Sequence, residues 1–360
     1  MRLIRRDQSS RLALVFAPIA AVLFTLMVCS ALVAWAKVPV LQTYGLLFEG
    51  AFGSRFALSE TLTRAVPLIF TGLSAAVAFR ARLFNIGAEG QLYAGALAAV
   101  AVGGSQVGEG FAISDSVLFL GMILCGMLAG ALMLIGPALL KAKFSVDEVV
   151  TTLLLNFIVL LFVSAMLDGP MKDPAGMGWP QSVALKGELE FSKLLEKTRL
   201  HTGLLWALGA VLVVTIINRF TRLGLQMRSV GSNLEASGFL GLPVNAVLIK
   251  TALISGALAG LAGVSEVAGR TSYVTLDMSP GYGYTGIVIA MLAGLSPIGV
   301  VVASVFVAGM LVGADAMSRV VAVPTYIADV IVAVSLIAML VAAMLIQFKV
   351  QWTLSKKSLS

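Results

Sequence analysis

The chain has 360 residues, of which 59% are hydrophobic and only 12% are charged, and its formal net charge at pH 7 is +7. A soluble domain has about twice this share of charged residues, so the chain has too little polar surface to cover a water-soluble globule. Its basic residues lie mainly between apolar runs, which favours a membrane protein without a nucleic-acid partner.

The N-terminus has the charge pattern of a secretory signal peptide, because four arginines precede an apolar run. The run covers residues 12–34, however, whereas the apolar core of a signal peptide has about 7–15 residues. We therefore interpret residues 12–34 as the first membrane span and residues 1–11 as a cytoplasmic tail.

Apolar runs continue along the chain with lengths suited to crossing a bilayer as helices, which takes about 20 residues each. They predict an all-α fold, a polytopic transmembrane helical bundle of about ten segments (8–10), some broken or re-entrant. The eighth run is too short to cross alone. The ten predicted spans are 12–34, 62–80, 84–104, 114–140, 146–167, 203–220, 248–269, 284–295, 298–317 and 324–347.

Basic residues in the short connections predict the orientation. Connections 80–83 and 141–147 are basic, whereas 105–115 contains only acidic charges, and basic loops stay in the cytoplasm. Both termini are therefore predicted to be cytoplasmic. The predicted organisation is a single permease domain, 1–360, with a periplasmic segment at 168–202, a cytoplasmic segment at 219–247 and a cytoplasmic tail at 348–360.

Motifs of enzymatic chemistry are missing from the sequence. There is no phosphate-binding G-x-x-x-x-G-K-[ST] loop, so ATP hydrolysis by that route is excluded. The single histidine, His201, and the two cysteines, Cys29 and Cys125, form no cluster of metal-ligand type. We predict a protein that is not an enzyme and has no catalytic residue, metal or cofactor of its own.

The segment 219–247 contains a predicted turn and short helix. Ser232 or Asn233 can cap the first turn of this helix, Glu235 lies near the positive end of its dipole, and Gly241 follows its end. A short amphipathic helix between two spans suits docking into a groove of a soluble partner. The alternative is a capped interfacial helix without a partner.

Polar residues inside the apolar runs are candidates for a translocation pathway. Asn85 and Glu89 lie in a glycine-containing stretch, and Asn156 lies in the middle of a span. Such groups are costly in lipid, so they face protein or water. They either line a pathway or make structural hydrogen bonds between helices. Glu266 and Arg270, spaced i,i+4, are interpreted as mutual neutralisation.

Small-residue motifs predict close helix packing. Glycines four residues apart occur at Gly126 and Gly130 and again at Gly256 and Gly260. This spacing places both glycines on one helix face and allows two helix backbones to approach each other.

Five stretches together resemble a known family. They are LFNIGAEGQLYAGA at 83–96, VDEVVTTLLLNFI at 146–158, DGPMKDPAGMGWPQS at 168–182, GLQMRSVGSNLEASGFLGLPV at 224–244 and SPGYGYTGIVIAMLAGLSPIG at 279–299. In this order and spacing they resemble the permease subunits of bacterial ABC importers for nucleosides and simple sugars, in the branched-chain amino acid/ribose permease superfamily. TTLLLN in the second stretch and DGPMKDP in the third resemble the nucleoside type more than the ribose type.

The resemblance implies an inner-membrane import complex. Its expected partners are a cytoplasmic ABC ATPase that binds ATP and Mg²⁺, a second permease subunit, identical or paralogous, and a periplasmic or lipid-anchored solute-binding protein. The expected solute is a nucleoside; the alternatives are a simple sugar or a stand-alone secondary transporter. The resemblance carries the ATPase contact over to Gly231, Asn233, Glu235, Ala236 and Gly241.

Overall fold

The computed structural model describes residues 2–5, 11–105, 114–321 and 325–351. The chain divides into two compact units. Unit 1 consists of Met1–Ala57 and Gly309–Ser360, and unit 2 of Leu58–Ala308.

Helices dominate both units. Within the described ranges they are α1 (Arg11–Trp35), α2 (Val40–Phe52), α3 (Arg55–Arg80), α4 (Ala88–Gly103), α5 (Asp115–Phe144), α6 (Glu148–Asp168), α7 (Gly203–Phe220), α8 (Arg222–Ser232), α9 (Leu234–Phe239), α10 (Val244–Glu266), α11 (Tyr282–Leu292), α12 (Pro297–Val321) and α13 (Thr325–Gln347). Each of the ten predicted runs contains one of these helices. The predicted helical bundle is confirmed.

Six helices in the described part of the chain are long and apolar enough to cross a membrane, namely α3, α5, α6, α7, α10 and α12. The span formed by α10 includes the turn that follows it and runs over Val244–Thr271. The count becomes seven if the pair formed by α1 and α2, bent by 117°, makes one broken span. The helix in the eighth run, α11, has 11 residues, as expected for a run too short to cross alone.

Unit 1 contains two features that the sequence analysis did not predict. The helix α2 begins after Pro39, because the apolar stretch of α1 is interrupted just before it. A two-stranded antiparallel ribbon pairs β1 (Arg2–Arg5) with β2 (Phe348–Gln351), parts of the two predicted tails. The rest of both tails, 6–10 and 352–360, lies outside the described residues.

Unit 2 has a core in which α4, α5 and α10 meet backbone to backbone. A Cβ atom placed on Gly260 would overlap the carbonyl oxygen of Gly126, and one placed on Gly130 would overlap that of Gly256. On α4, a Cβ atom at Gly95 would overlap the carbonyl oxygen of Gly260. Both predicted glycine pairs therefore act as close packing faces, and the same contact surface extends to α4.

Residues 168–202, which we call the cap, form an ordered irregular structure. The amide of Leu185 donates to the carbonyl of Ser272 at 2.7 Å, and the amide of Phe191 donates to that of Ala268 at 2.7 Å. The amide of Ser182 donates to the carbonyl of Val274 at 3.0 Å. The cap is thus bound to the chain that follows α10.

The glycine contacts predict a large difference between two substitutions of the same chemistry. Gly260→Ala adds a methyl group against a backbone carbonyl that cannot move aside, and we expect a loss of about 1–3 kcal/mol in the free energy of unfolding. Gly209→Ala, on exposed α7 with open space around its Cα, is the control. Thermal melting of the detergent-purified variants measures both. Equal melting temperatures would contradict the packing.

Candidate functional site

The segment between α7 and α10 forms two short helices joined at Asn233. Its side chain accepts a hydrogen bond from the amide of Ala236 at 3.0 Å, and its backbone is extended, as in a helix N-cap. Asn233 is one of the two residues predicted to cap this helix. Gly241 then ends the segment with a positive φ of 77°, which glycine adopts without strain.

Helix α9 presents an exposed surface. Glu235, Ala236 and Gly241 are exposed, and the side chains of Phe239 and Leu240 are 93% and 81% exposed. A rigid helix that displays polar and apolar side chains together has the character of a docking element. A cavity of about 280 Å³ borders α9, and its lining includes Leu234 and the ion pair between Lys141 and Glu148.

Gly231 has a different environment from the other predicted contact residues. A Cβ atom at this position would overlap the carbonyl oxygen of Arg80, at the end of α3. The guanidinium of Arg80 donates to the carbonyl of Leu295, in the turn after α11, at 2.7 Å. The end of α8 is thus packed against α3, which is hydrogen-bonded to the chain beyond α11. No sequence pattern indicated this connection, because it joins residues far apart in the chain.

Asn85 lies fully buried before α4. Its amide group pairs with that of Gln91 through two hydrogen bonds of 2.9 Å, and its Nδ2 also donates to the Ser255 hydroxyl at 3.1 Å. The Oδ1 atom accepts from the amide of Gly87 at 3.0 Å. Asn85 therefore shapes the turn into α4 and links it to α10.

Glu89 and Asn156 bind the backbone at two helix starts. The carboxylate of Glu89 accepts a hydrogen bond from the amide of Gly283, in the first turn of α11, at 2.6 Å. Asn156 on α6 accepts from the amide of Gly90, in the first turn of α4, at 2.8 Å, and donates to the carbonyl of Ile86 at 2.9 Å. Both residues are buried, and in this conformation they join helices.

A second polar cluster lies beneath the cap, around the end of α10. Here the chain continues from α10 as a π-helical turn, Val267–Thr271. Glu266 and Arg270 form the predicted ion pair, and Arg270 also donates to the carbonyl of Met278 at 2.9 Å. Glu60 on α3 lies 3.9 Å from Arg199 of the cap. The sequence analysis missed Glu60, although a charge at the edge of an apolar run is the type of signal that marks such sites.

His201 has a structural role. It is buried, and its Nδ1 atom accepts a hydrogen bond from the amide of Gly203 at 3.1 Å. Burial disfavours the charged imidazolium and lowers the pKa of His201 to about 4. The ring is therefore neutral at physiological pH. Across the described residues, no group of three or more metal-ligand side chains gathers.

The apolar helices, the broken helix pair, the buried polar residues at helix starts and the exposed connecting helix define a multi-pass membrane protein of the transport class. Residues 57–355 match the family described as branched-chain amino acid transport system / permease component. The chain belongs to this family and is thus a transport subunit.

Named relatives cover nearly the whole chain. The glucose ABC transporter permease protein TsgB13 of Haloferax volcanii is 34% identical over 92% of this chain and 89% of its own length. The guanosine ABC transporter permease protein NupP of Bacillus subtilis is 33% identical over 90% and 92%. The nucleoside ABC transporter permease protein NupB of Lactococcus lactis is 31% identical over 85% of each chain.

The bonds of Asn156 predict a specific loss of stability. Asn156→Leu leaves the amide of Gly90 and the carbonyl of Ile86 unpaired in a buried place, which costs about 1–3 kcal/mol for each unpaired group. Asn218→Leu is the matched control, since Asn218 is also buried but its Oδ1 atom has no partner among the described residues. Melting temperatures in detergent report the difference. A control that melts as early as Asn156→Leu would contradict the assignment.

Proposed function

We propose that this chain is the membrane-spanning subunit of an ABC importer that carries a nucleoside across the bacterial inner membrane. The observation that carries the proposal is the exposed, capped helix α9 between two spans, in a chain that belongs to a permease family. A protein that moves solute alone needs no such docking element, so α9 favours an importer over a stand-alone secondary transporter.

The ATPase contact proposed here consists of Asn233, Glu235, Ala236 and Gly241, with Gly231 at its inner end. ATP binding closes the partner ATPases, and this closure moves α8 and α9. Because Gly231 packs on Arg80, and Arg80 bonds to the turn after α11, the movement reaches α3 and α11. Alternating access follows if these helices have two arrangements with different affinities for the solute.

The other components follow from what this chain lacks and what its class requires. ATP and Mg²⁺ bind to the separate ATPase, since this sequence has no phosphate-binding loop. A second permease subunit, identical or paralogous, completes the membrane part, and a solute-binding protein delivers the solute to the cap. This arrangement places both termini and α9 in the cytoplasm and the cap in the periplasm.

Asn85, Glu89 and Asn156 are proposed as residues of the translocation pathway. In the described conformation they bond to the starts of α4 and α11. A movement of α11 breaks the bond between Glu89 and Gly283 and leaves a strong hydrogen-bonding group for a polar solute, next to Asn85 and Asn156 at the start of α4.

The nucleoside assignment is supported by the two relatives named for guanosine and nucleosides, at 33% and 31% identity. The relative named for glucose, at 34% identity, supports a simple sugar as the second candidate. Both candidates are small, neutral and rich in hydroxyl groups, so one pathway chemistry suits either.

Uptake into proteoliposomes tests the function. The vesicles contain this chain with the permease, ATPase and solute-binding protein encoded beside it, and labelled nucleosides and sugars are supplied. We expect ATP-dependent uptake of nucleosides. Sugar uptake would retain the importer class and change the solute. Uptake without the ATPase would contradict the importer and support the secondary transporter.

A pair of cysteine variants tests the orientation and the coupling segment together. Cys29 and Cys125 are first replaced by alanine, and exposed Glu235 or Glu188 is then changed to cysteine. We expect an impermeant thiol reagent to reach Glu235→Cys only from the cytoplasmic face and to stop ATP-driven uptake there. Glu188→Cys in the cap, labelled from the opposite face, is expected to keep most of its uptake. Labelling of Glu235→Cys in intact cells would reverse the topology.

A further inference from the structure

Five charged side chains gather where α3 and α10 meet the cap. Glu60 and Arg64 lie one helical turn apart on α3, and Glu266 and Arg270 lie one turn apart at the end of α10. Glu266 and Arg270 form an ion pair, and Glu60 pairs with Arg199 of the cap at 3.9 Å. Arg64 and Glu60 also act electrostatically on Glu266 and Arg270, respectively. The cluster therefore contains two carboxylates and three guanidiniums.

The cluster includes an irregular turn of the backbone. Arg270 belongs to the π-helical turn after α10, and single π turns inside helices are frequent at functional sites. Its guanidinium bonds both to Glu266 and to the carbonyl of Met278, in the stretch that leads to α11. The cluster thus connects α3, α10 and the approach to α11.

Glu60 has an unused hydrogen-bond acceptor. Its Oε1 atom is buried and has no hydrogen-bond partner among the described residues, and its Oε2 atom is 3.9 Å from Arg199. A buried carboxylate oxygen without a donor is unfavourable, so a hydroxyl group that donates to it gains a partner at a site that has none. The side chains of Glu60 and Arg270 are 18% and 25% exposed, so a small molecule approaching from the cap can reach the rim of the cluster.

We propose that Glu60 and Arg270 form an entrance site that binds adjacent hydroxyl groups of a sugar ring as the solute leaves its binding protein. A carboxylate accepts hydrogen bonds from two neighbouring hydroxyls, and a guanidinium donates to ring or hydroxyl oxygens. The inference rests on the proposed function, because nucleosides and simple sugars both carry such a ring.

A comparison of two solutes in two proteins isolates the contact. Uptake of guanosine and 2′,3′-dideoxyguanosine, and of glucose and 2-deoxyglucose, is measured for the wild-type importer and for Glu60→Gln. The binding protein is the same in every assay. Its own selectivity therefore cancels when the wild-type preference for the hydroxylated solute is divided by the preference of Glu60→Gln. We expect Glu60→Gln to reduce the preference for the hydroxylated solute about tenfold. The control Glu188→Gln, exposed in the cap, is expected to leave it unchanged.

A preference that stays at the wild-type value in Glu60→Gln, with uptake of both solutes reduced equally, would assign Glu60 a structural role and overturn the site. If Glu60→Gln does not transport at all, Glu60→Cys in the cysteine-free chain decides. We expect guanosine or glucose to slow its labelling from the cap side, with no effect on Glu188→Cys. Unchanged labelling overturns the site. The labelling experiment needs no transport, so it tests the entrance site separately from the importer assignment. The importer assignment fails if the wild type shows no ATP-dependent uptake.

Discussion

The contact between the backbones of α4, α5 and α10 is the constraint on which the arrangement of unit 2 depends. Hydrophobic exclusion from water does not hold helices together in lipid, so van der Waals contact and hydrogen bonds between helices must do so. Glycines at Gly126, Gly130, Gly256 and Gly260 bring α5 and α10 to direct contact, and Gly95 adds α4. This contact holds α4 in place, and the start of α4 carries the polar residues of the site.

The start of α4 shows how a membrane protein satisfies polar groups without water. A helix leaves its first amides unpaired, and in lipid each such group costs several kcal/mol. Asn156 supplies an acceptor for Gly90, Asn85 supplies one for Gly87, and Glu89 serves the next helix start through Gly283. The same side chains therefore stabilise a short, interrupted helix and carry the hydrogen-bonding capacity that a polar solute needs.

The sequence predicted those parts of the fold that depend on local composition. All ten apolar runs contain helices, the short eighth run contains a short helix, and Asn233 is a cap, because hydropathy and capping are properties of neighbouring residues. Contacts between distant residues could not be predicted. The packing of Gly231 on Arg80, the hydrogen bonds of the cap and the ion pair between Glu60 and Arg199 depend on how helices and cap assemble. Helix α2 was missed because its run is short and follows a break.

The connections between helices at the two ends of unit 2 are of different kinds, and the proposed coupling to an ATPase makes use of this difference. At the α8 end the connection is steric, because Gly231 packs directly against the carbonyl of Arg80 at the end of α3. A displacement of α8 toward α3 therefore pushes on α3. At the cap end the connection is polar, through Arg270 and its bonds to Glu266 and Met278. Polar bonds can be exchanged for bonds to a solute or to water at small net cost. In the importer that we propose, a close contact at the α8 end and exchangeable bonds at the cap end allow one movement of the ATPase to open a site for solute.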